Sequence, residues 1–148
     1  MNKSLAKLLS SAVALGSVFF SLQTTASPQD WQRIKRPIPA TDGKANPIGS
    51  YSNGCIIGAE PLPYKGEGYQ VIRMNKNRYY GHPDMIPYLQ RLGQKAKSAG
   101  LPTMLVGDIA MPGGGRFLTG HASHQMGLDA DIWLRMGTMT DSEALNSD

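Results

Sequence analysis

The chain has 148 residues, with 17 Gly, 10 Pro, 41% hydrophobic and 18% charged side chains, a composition that excludes disordered, collagen-like and coiled-coil chains. Its formal charge of +4 is inflated by residues 1–26, which hold Lys3 and Lys7 and no acid; without them 122 residues remain, with 13 basic and 11 acidic side chains. That is enough chain for one domain and not two, and its charge is too evenly balanced for a nucleic-acid footprint.

Residues 1–26 read as a signal peptide: Lys3 and Lys7, an apolar run over residues 8–22, then the small residues Thr24 and Ala26 before a cleavage point. The run is interrupted by Ser10, Ser11, Gly16, Ser17 and Ser21 and is shorter than the ~20 residues of a spanning helix, so export is favoured over anchoring and the expected location is the periplasm. Residues 27–52 are rich in Pro, Gly, Asn and Lys and predict an extended arm with little regular structure, anchored by Trp31 and Ile34. Cys55 is the single cysteine, and a lone thiol in an oxidising compartment predicts a partner cysteine C-terminal to Asp148.

Residues 69–74 have strand composition, and Gly81, His82, Pro83 and Asp84 open a helix. Met85, Ile86, Leu89, Leu92, Ala96 and Ala99 recur at helical spacing on its inner face, and Gly100 with Pro102 ends it. His82 is expected to cap or pack at the helix start. Residues 103–106 form a short buried strand, and Gly113, Gly114 and Gly115, which match no phosphate or dinucleotide fingerprint, read as a flexible rim. Over residues 128–134 the alternation predicts a strand with Leu128, Ala130, Ile132 and Leu134 on one face and Asp129, Asp131 and Trp133 on the other.

The chemistry concentrates in residues 120–131, which hold two of the three histidines. An imidazole in the turn before the strand and a carboxylate on it can converge, and this donor pair suits Zn²⁺, with Gly127 letting the chain fold back between them. By spacing alone, a His with a downstream Asp is more often a polar surface turn. Asp129 is the choice for orienting a ligating histidine, since such rings usually donate their other N–H to an acceptor. Asp108 reads either as such a partner or as a strand-end turn residue. Ser123 lies in no nucleophile elbow, and the SxxK run Ser4-Leu5-Ala6-Lys7 falls within the signal peptide.

Ser123-His124, Gly127 and Asp131 match the HxxxxxxD motif of the zinc peptidase group that unites lysostaphin-type, D-alanyl-D-alanine-cleaving and hedgehog-like domains. Together with Ser52-Asn53-Gly54-Cys55, residues 80–84, Gly114-Gly115-Arg116-Phe117 and residues 120–125, the chain resembles the penicillin-insensitive murein endopeptidases over nearly all of its length after the signal peptide. The resemblance implies that His124 and Asp131 are the first two ligands of a catalytic zinc and that His121 serves a peripheral metal site. It also implies that the third ligand and the histidine base come from a later HxH motif, absent from these 148 residues. The fold expected is α+β, an antiparallel sheet with flanking helices, a zinc site on the sheet face and a truncated C-terminus, with residues 27–148 as the N-terminal part of one peptidase domain.

The implied activity is zinc-dependent hydrolysis of D-alanyl to meso-diaminopimelyl cross-links in peptidoglycan, with no acyl-enzyme and hence no sensitivity to β-lactams. Arg116 is the candidate for holding a substrate carboxylate or the developing oxyanion; a solvated loop arginine is the equal alternative. With two catalytic ligands and no base, the chain alone is expected to be inactive. The implied partners are the cross-link peptides of peptidoglycan; a homodimer stays open. Two other classes remain: a non-catalytic periplasmic binder of peptidoglycan or metal, and a basic exported protein that binds anionic polymer without metal.

Overall fold

In a computed structural model, which describes residues 28–147, two buried apolar runs near residues 70 and 105 become adjacent strands because a helix carries the chain back between them. In chain order the elements are α1 (Pro28–Arg33), β1 (Asn46–Ser50), β2 (Asn53–Ile57), β3 (Glu60–Pro61), β4 (Lys65–Gly66) and β5 (Tyr69–Val71), a 3₁₀ turn (Met74–Lys76), β6 (Tyr80–Gly81), α2 (Met85–Ser98), β7 (Met104–Val106) and α3 (Asp141–Asn146). The signal peptide expected over residues 1–26 lies outside the described residues. No helix among the described residues is long and apolar enough to cross a membrane.

The α+β class holds, but the single antiparallel sheet does not. There are three small sheets: the hairpin β1–β2, the pair β3–β6, and β4–β5–β7, in which β5 and β7 run parallel with Tyr69 opposite Met104 and Val71 opposite Val106. The reason is the connection, because a crossover through a helix returns the chain in the same direction. α2 buries Ile86, Leu89 and Gly93 on Leu62, Tyr69, Val71, Met104, Val106 and Ile109. Ala99, expected on the inner face, follows the helix end and is exposed; Gly93 takes an inner position because a Cβ there would stand 2.7 Å from the Glu67 carbonyl oxygen.

The arm is more regular than its composition suggested, since it contains α1 and β1. Trp31 and Ile34 do anchor it, against the glycine loop: a Cβ on Gly113 would meet Ile34 at 2.9 Å and one on Gly115 would meet the Trp31 ring at 2.1 Å. That loop is therefore no flexible rim, and residues 111–115 are all buried.

Residues 128–134 form an isolated antiparallel bridge between Ile132 and Val106 and no named strand. The backbone still follows the edge of β7: Gly107 N–H donates to Asp131 O (2.8 Å), Trp133 N–H to Leu105 O (3.0 Å) and Asp131 N–H to Asp108 O (2.9 Å). Of the face expected to turn inward, only Ala130 packs on the core. Leu128, Ile132 and Leu134 are exposed, and Trp133 packs on Ile72, Leu105 and Ala144, because α3 covers that side of β7. α3 starts with a capping box in which Glu143 N–H donates to Thr140 Oγ1 and the Glu143 carboxylate accepts from Thr140 N–H.

Candidate metal centre

Three constraints shape the turn over residues 120–131. His124 has φ 66°, a left-handed conformation costly for a side chain with a Cβ, and its N–H donates to Asp129 Oδ2 at 3.1 Å, which holds it there. Gln125 is buried and ties its own turn to the β1–β2 hairpin: Nε2 donates to Ser52 O and Ala122 O, and Oε1 accepts from Gly54 N–H at 3.0 Å. Gly114 lets the glycine loop close on it, since a Cβ at that left-handed position would lie 2.1 Å from Gln125 O. Gly127, with φ 67°, packs directly on Gly81 and His82, whose N–H donates to Gly127 O at 2.8 Å.

This turn brings His121, His124 and Asp131 together. His121 Nδ1 lies 3.3 Å from His124 Nε2 and 3.5 Å from Asp131 Oδ2, and His124 Nε2 lies 3.4 Å from Asp131 Oδ1. The two distances to Asp131 end on different carboxylate oxygens, and with one donor atom from each residue the three lie within 4.8 Å of one another, near enough to converge on one ion with a small adjustment of the side chains. The donor set, two imidazoles and a carboxylate, suits a borderline cation, and the three residues form the candidate metal cluster among the described residues. His121, expected at a peripheral position, is thus within reach of the same ion as His124.

His124 is only 2% exposed, whereas His121 and Asp131 open toward solvent. Its Nδ1 meets Asp129 Oδ2 at 2.9 Å, off the line of a conventional ring N–H bond, so Asp129 backs the ring as the sequence suggested. Burial opposes charging of this imidazole, but contact with Asp129, and then the charges of Asp131 and Asp108, outweigh it and hold the pKa above the ordinary histidine value. For Asp129, burial pushes the pKa up, and contacts with His124 and Ser123 more than offset it, leaving the carboxyl below its usual range. Phe117 stacks on the His124 ring at 5.8 Å between centroids.

The other candidates separate. His82 stays at the start of α2, where Nδ1 accepts from Asp84 N–H at 3.1 Å. Asp108 is buried and accepts from two arginines. Arg116 is exposed between buried Gly115 and Phe117 and makes no ion pair among the described residues. Cys55 is a half-buried free thiol on β2, and burial pushes its pKa up. Sequence reasoning included Gln125 and Phe117 in the motifs of the resemblance but gave neither a role. The first adjoins His124, and the second is the only phenylalanine after residue 26, which were the available signals.

The family model described as penicillin-insensitive murein endopeptidase matches residues 47–148. A protein of that name from Haemophilus influenzae is 76% identical over 142 residues, covering 96% of this chain and 50% of its own length. Proteins of the same name from Salmonella paratyphi B and Salmonella newport are 50% identical over 125 residues, covering 84% of this chain and 44% of theirs. The chain spans about half the length of the curated relatives it matches.

Proposed function

Because the chain belongs to the penicillin-insensitive murein endopeptidase family, we propose that it is the N-terminal, metal-holding part of a zinc endopeptidase that cleaves D-alanyl to diaminopimelyl cross-links in periplasmic peptidoglycan. The observation that supports this reading is the donor triangle of His121, His124 and Asp131, whose ligand atoms, one from each residue, lie within 4.8 Å of one another. Zinc, when bound, supplies the Lewis acidity that activates water and polarises the scissile amide carbonyl. His124 would hold the ion when it is bound, and Asp129, against its Nδ1, would orient the ring and raise its basicity as a ligand. Asp131 is held by backbone bonds on both sides, to Gly107 and Asp108, so its carboxylate has a fixed origin. Arg116, exposed beside Phe117, is the proposed contact for a substrate carboxylate, because its guanidinium offers a planar fork of donors.

The chain's own histidines supply no free base for proton transfer. Two histidines lie in the donor triangle and His82 is bound to the start of α2, so no imidazole of the chain is free to accept the proton from water. In this reading the base and a further ligand belong to the part of the relatives' length that this chain does not match, as does the disulfide partner of Cys55. The donor triangle is formed within one chain, and no observation supports the homodimer left open by the sequence. Chromatography of digested sacculi tests the proposal. The Haemophilus relative should release monomeric muropeptides, substitution of its residues matching His124 or Asp131 should stop the release, and the 148-residue chain should leave cross-linked dimers unchanged. Retained cleavage in those variants contradicts the assignment.

A further inference from the structure

Beneath the donor triangle lies a cluster that the proposed chemistry does not use. Asp108 is 4% exposed, and its Oδ2 accepts from Arg73 Nη1 at 3.1 Å and from Arg78 Nη1 at 3.0 Å. The Arg78 side chain is 10% exposed and lays its guanidinium 3.8 Å from the centroid of the Phe117 ring. Phe117, itself 3% exposed, stacks on the His124 ring with 14° between planes. A guanidinium so deeply buried is costly unless its position is used, and here it is fixed at one end by a carboxylate and at the other by an aromatic ring. Asp108 has a second attachment, because its carbonyl oxygen accepts from Asp131 N–H. One buried ion pair therefore reaches both residues of the candidate ligand pair that lie deepest, His124 through Phe117 and Asp131 through the backbone.

We propose that Arg78 is a positioning residue for the metal centre: held by Asp108, it fixes Phe117, and Phe117 fixes the plane of the His124 ring. The inference rests on the assignment of His124 and Asp131 as ligands. Lysine is a poor substitute for this role, because it lacks the planar fork that bonds Asp108 while lying over the ring. Methionine keeps length and apolar bulk, and removes both the bond and the charge.

The test is titration of the 148-residue chain with Co²⁺, read by the visible ligand-field bands and by calorimetry, for wild type, Arg78→Met, Arg78→Lys, Phe117→Leu and the Arg78→Met/Phe117→Leu pair, with thermal melting of each metal-free protein alongside. Displaced partners of metal-bound histidines commonly cost 10–100-fold in affinity, so Arg78→Met should weaken Co²⁺ binding about tenfold and shift the bands. Phe117→Leu should do the same, Arg78→Lys should recover only part of the loss, and the double variant should lose no more than the worse single one. Phe117→Leu keeps the inference falsifiable if Arg78→Met does not fold. Wild-type binding that His124→Ala abolishes but Arg78→Met and Phe117→Leu leave unchanged overturns this inference alone, as do additive losses in the double variant. Wild-type binding that His124→Ala does not reduce overturns the ligand assignment, and this inference with it.

Discussion

Gly127→Ala is the most informative single substitution, because a matched control exists in the same chain. Gly127 and Gly43 have nearly the same backbone, φ 67° and φ 72°. A Cβ at Gly43 meets nothing within 4 Å, whereas at Gly127 it would stand 2.9 Å from both Gly81 Cα and His82 N, which are backbone atoms and cannot rotate away. Both variants incur the left-handed penalty of roughly 1–2 kcal/mol. Both also gain about 0.4–1 kcal/mol from a stiffer unfolded chain, which cancels between them. Only Gly127→Ala must move the turn off β6 and the start of α2, an overpacking cost of about 1–3 kcal/mol. Urea unfolding should therefore place Gly127→Ala below Gly43→Ala by that margin. Because Gly127 lies between His124 and Asp131, zinc affinity should fall in the first variant and not in the second. Equal stabilities, within about 0.5 kcal/mol, refute the packing argument.

Asp129→Asn keeps the shape behind His124 and removes the charge, so zinc affinity should drop by about 10–100-fold in calorimetry, and an unchanged affinity contradicts the backing role. In the metal-free chain, His124 has a raised folded pKa and adds stability that is complete below its unfolded value of about 6.5 and is lost as pH rises through the folded value. Asp129, held low, adds stability above its unfolded value of about 4 and loses it as pH falls. Urea midpoints relative to His124→Gln should thus peak between about pH 4 and 6.5, and parallel profiles count against the pair. Thr140→Ala removes the α3 capping box and should cost about 1 kcal/mol by urea unfolding, with no loss signalling that tertiary contacts alone hold the helix. In a full-length relative purified without reductant, Cys55's counterpart should resist alkylation until reductant is added.

The turn that forms the candidate site was legible only in part. Spacing alone favoured a polar surface turn, and it was the family resemblance that singled out His124 and Asp131; the geometry brings these two together with Asp129 in a turn that needs Gly127 free of a Cβ. The helix over residues 85–98 was legible from apolar spacing and its Gly100 stop. The sheet was not, although strand, helix, strand in sequence pointed to a parallel pair. Residues 128–134 misled because period-two alternation fixes two faces without saying which is covered; α3 decides that, and its Thr140 to Glu143 signature went unread. The glycine loop looked mobile because composition cannot register Trp31, Ile34 and Gln125 closing on it from distant positions. Arg78 carries no motif and Phe117 entered only as the last residue of Gly114-Gly115-Arg116-Phe117 with no role attached, and only the folded chain brings them to His124.

The central claim is that this chain holds a zinc ion through His121, His124 and Asp131. Calorimetric titration of the purified chain with Zn²⁺, repeated on His121→Ala, His124→Ala and Asp131→Ala, tests it most directly. One zinc per chain, with binding lost in His124→Ala and Asp131→Ala and weakened in His121→Ala, is the predicted result. Zinc binding that survives unchanged in His124→Ala and Asp131→Ala, or a wild-type chain that takes up none, contradicts it.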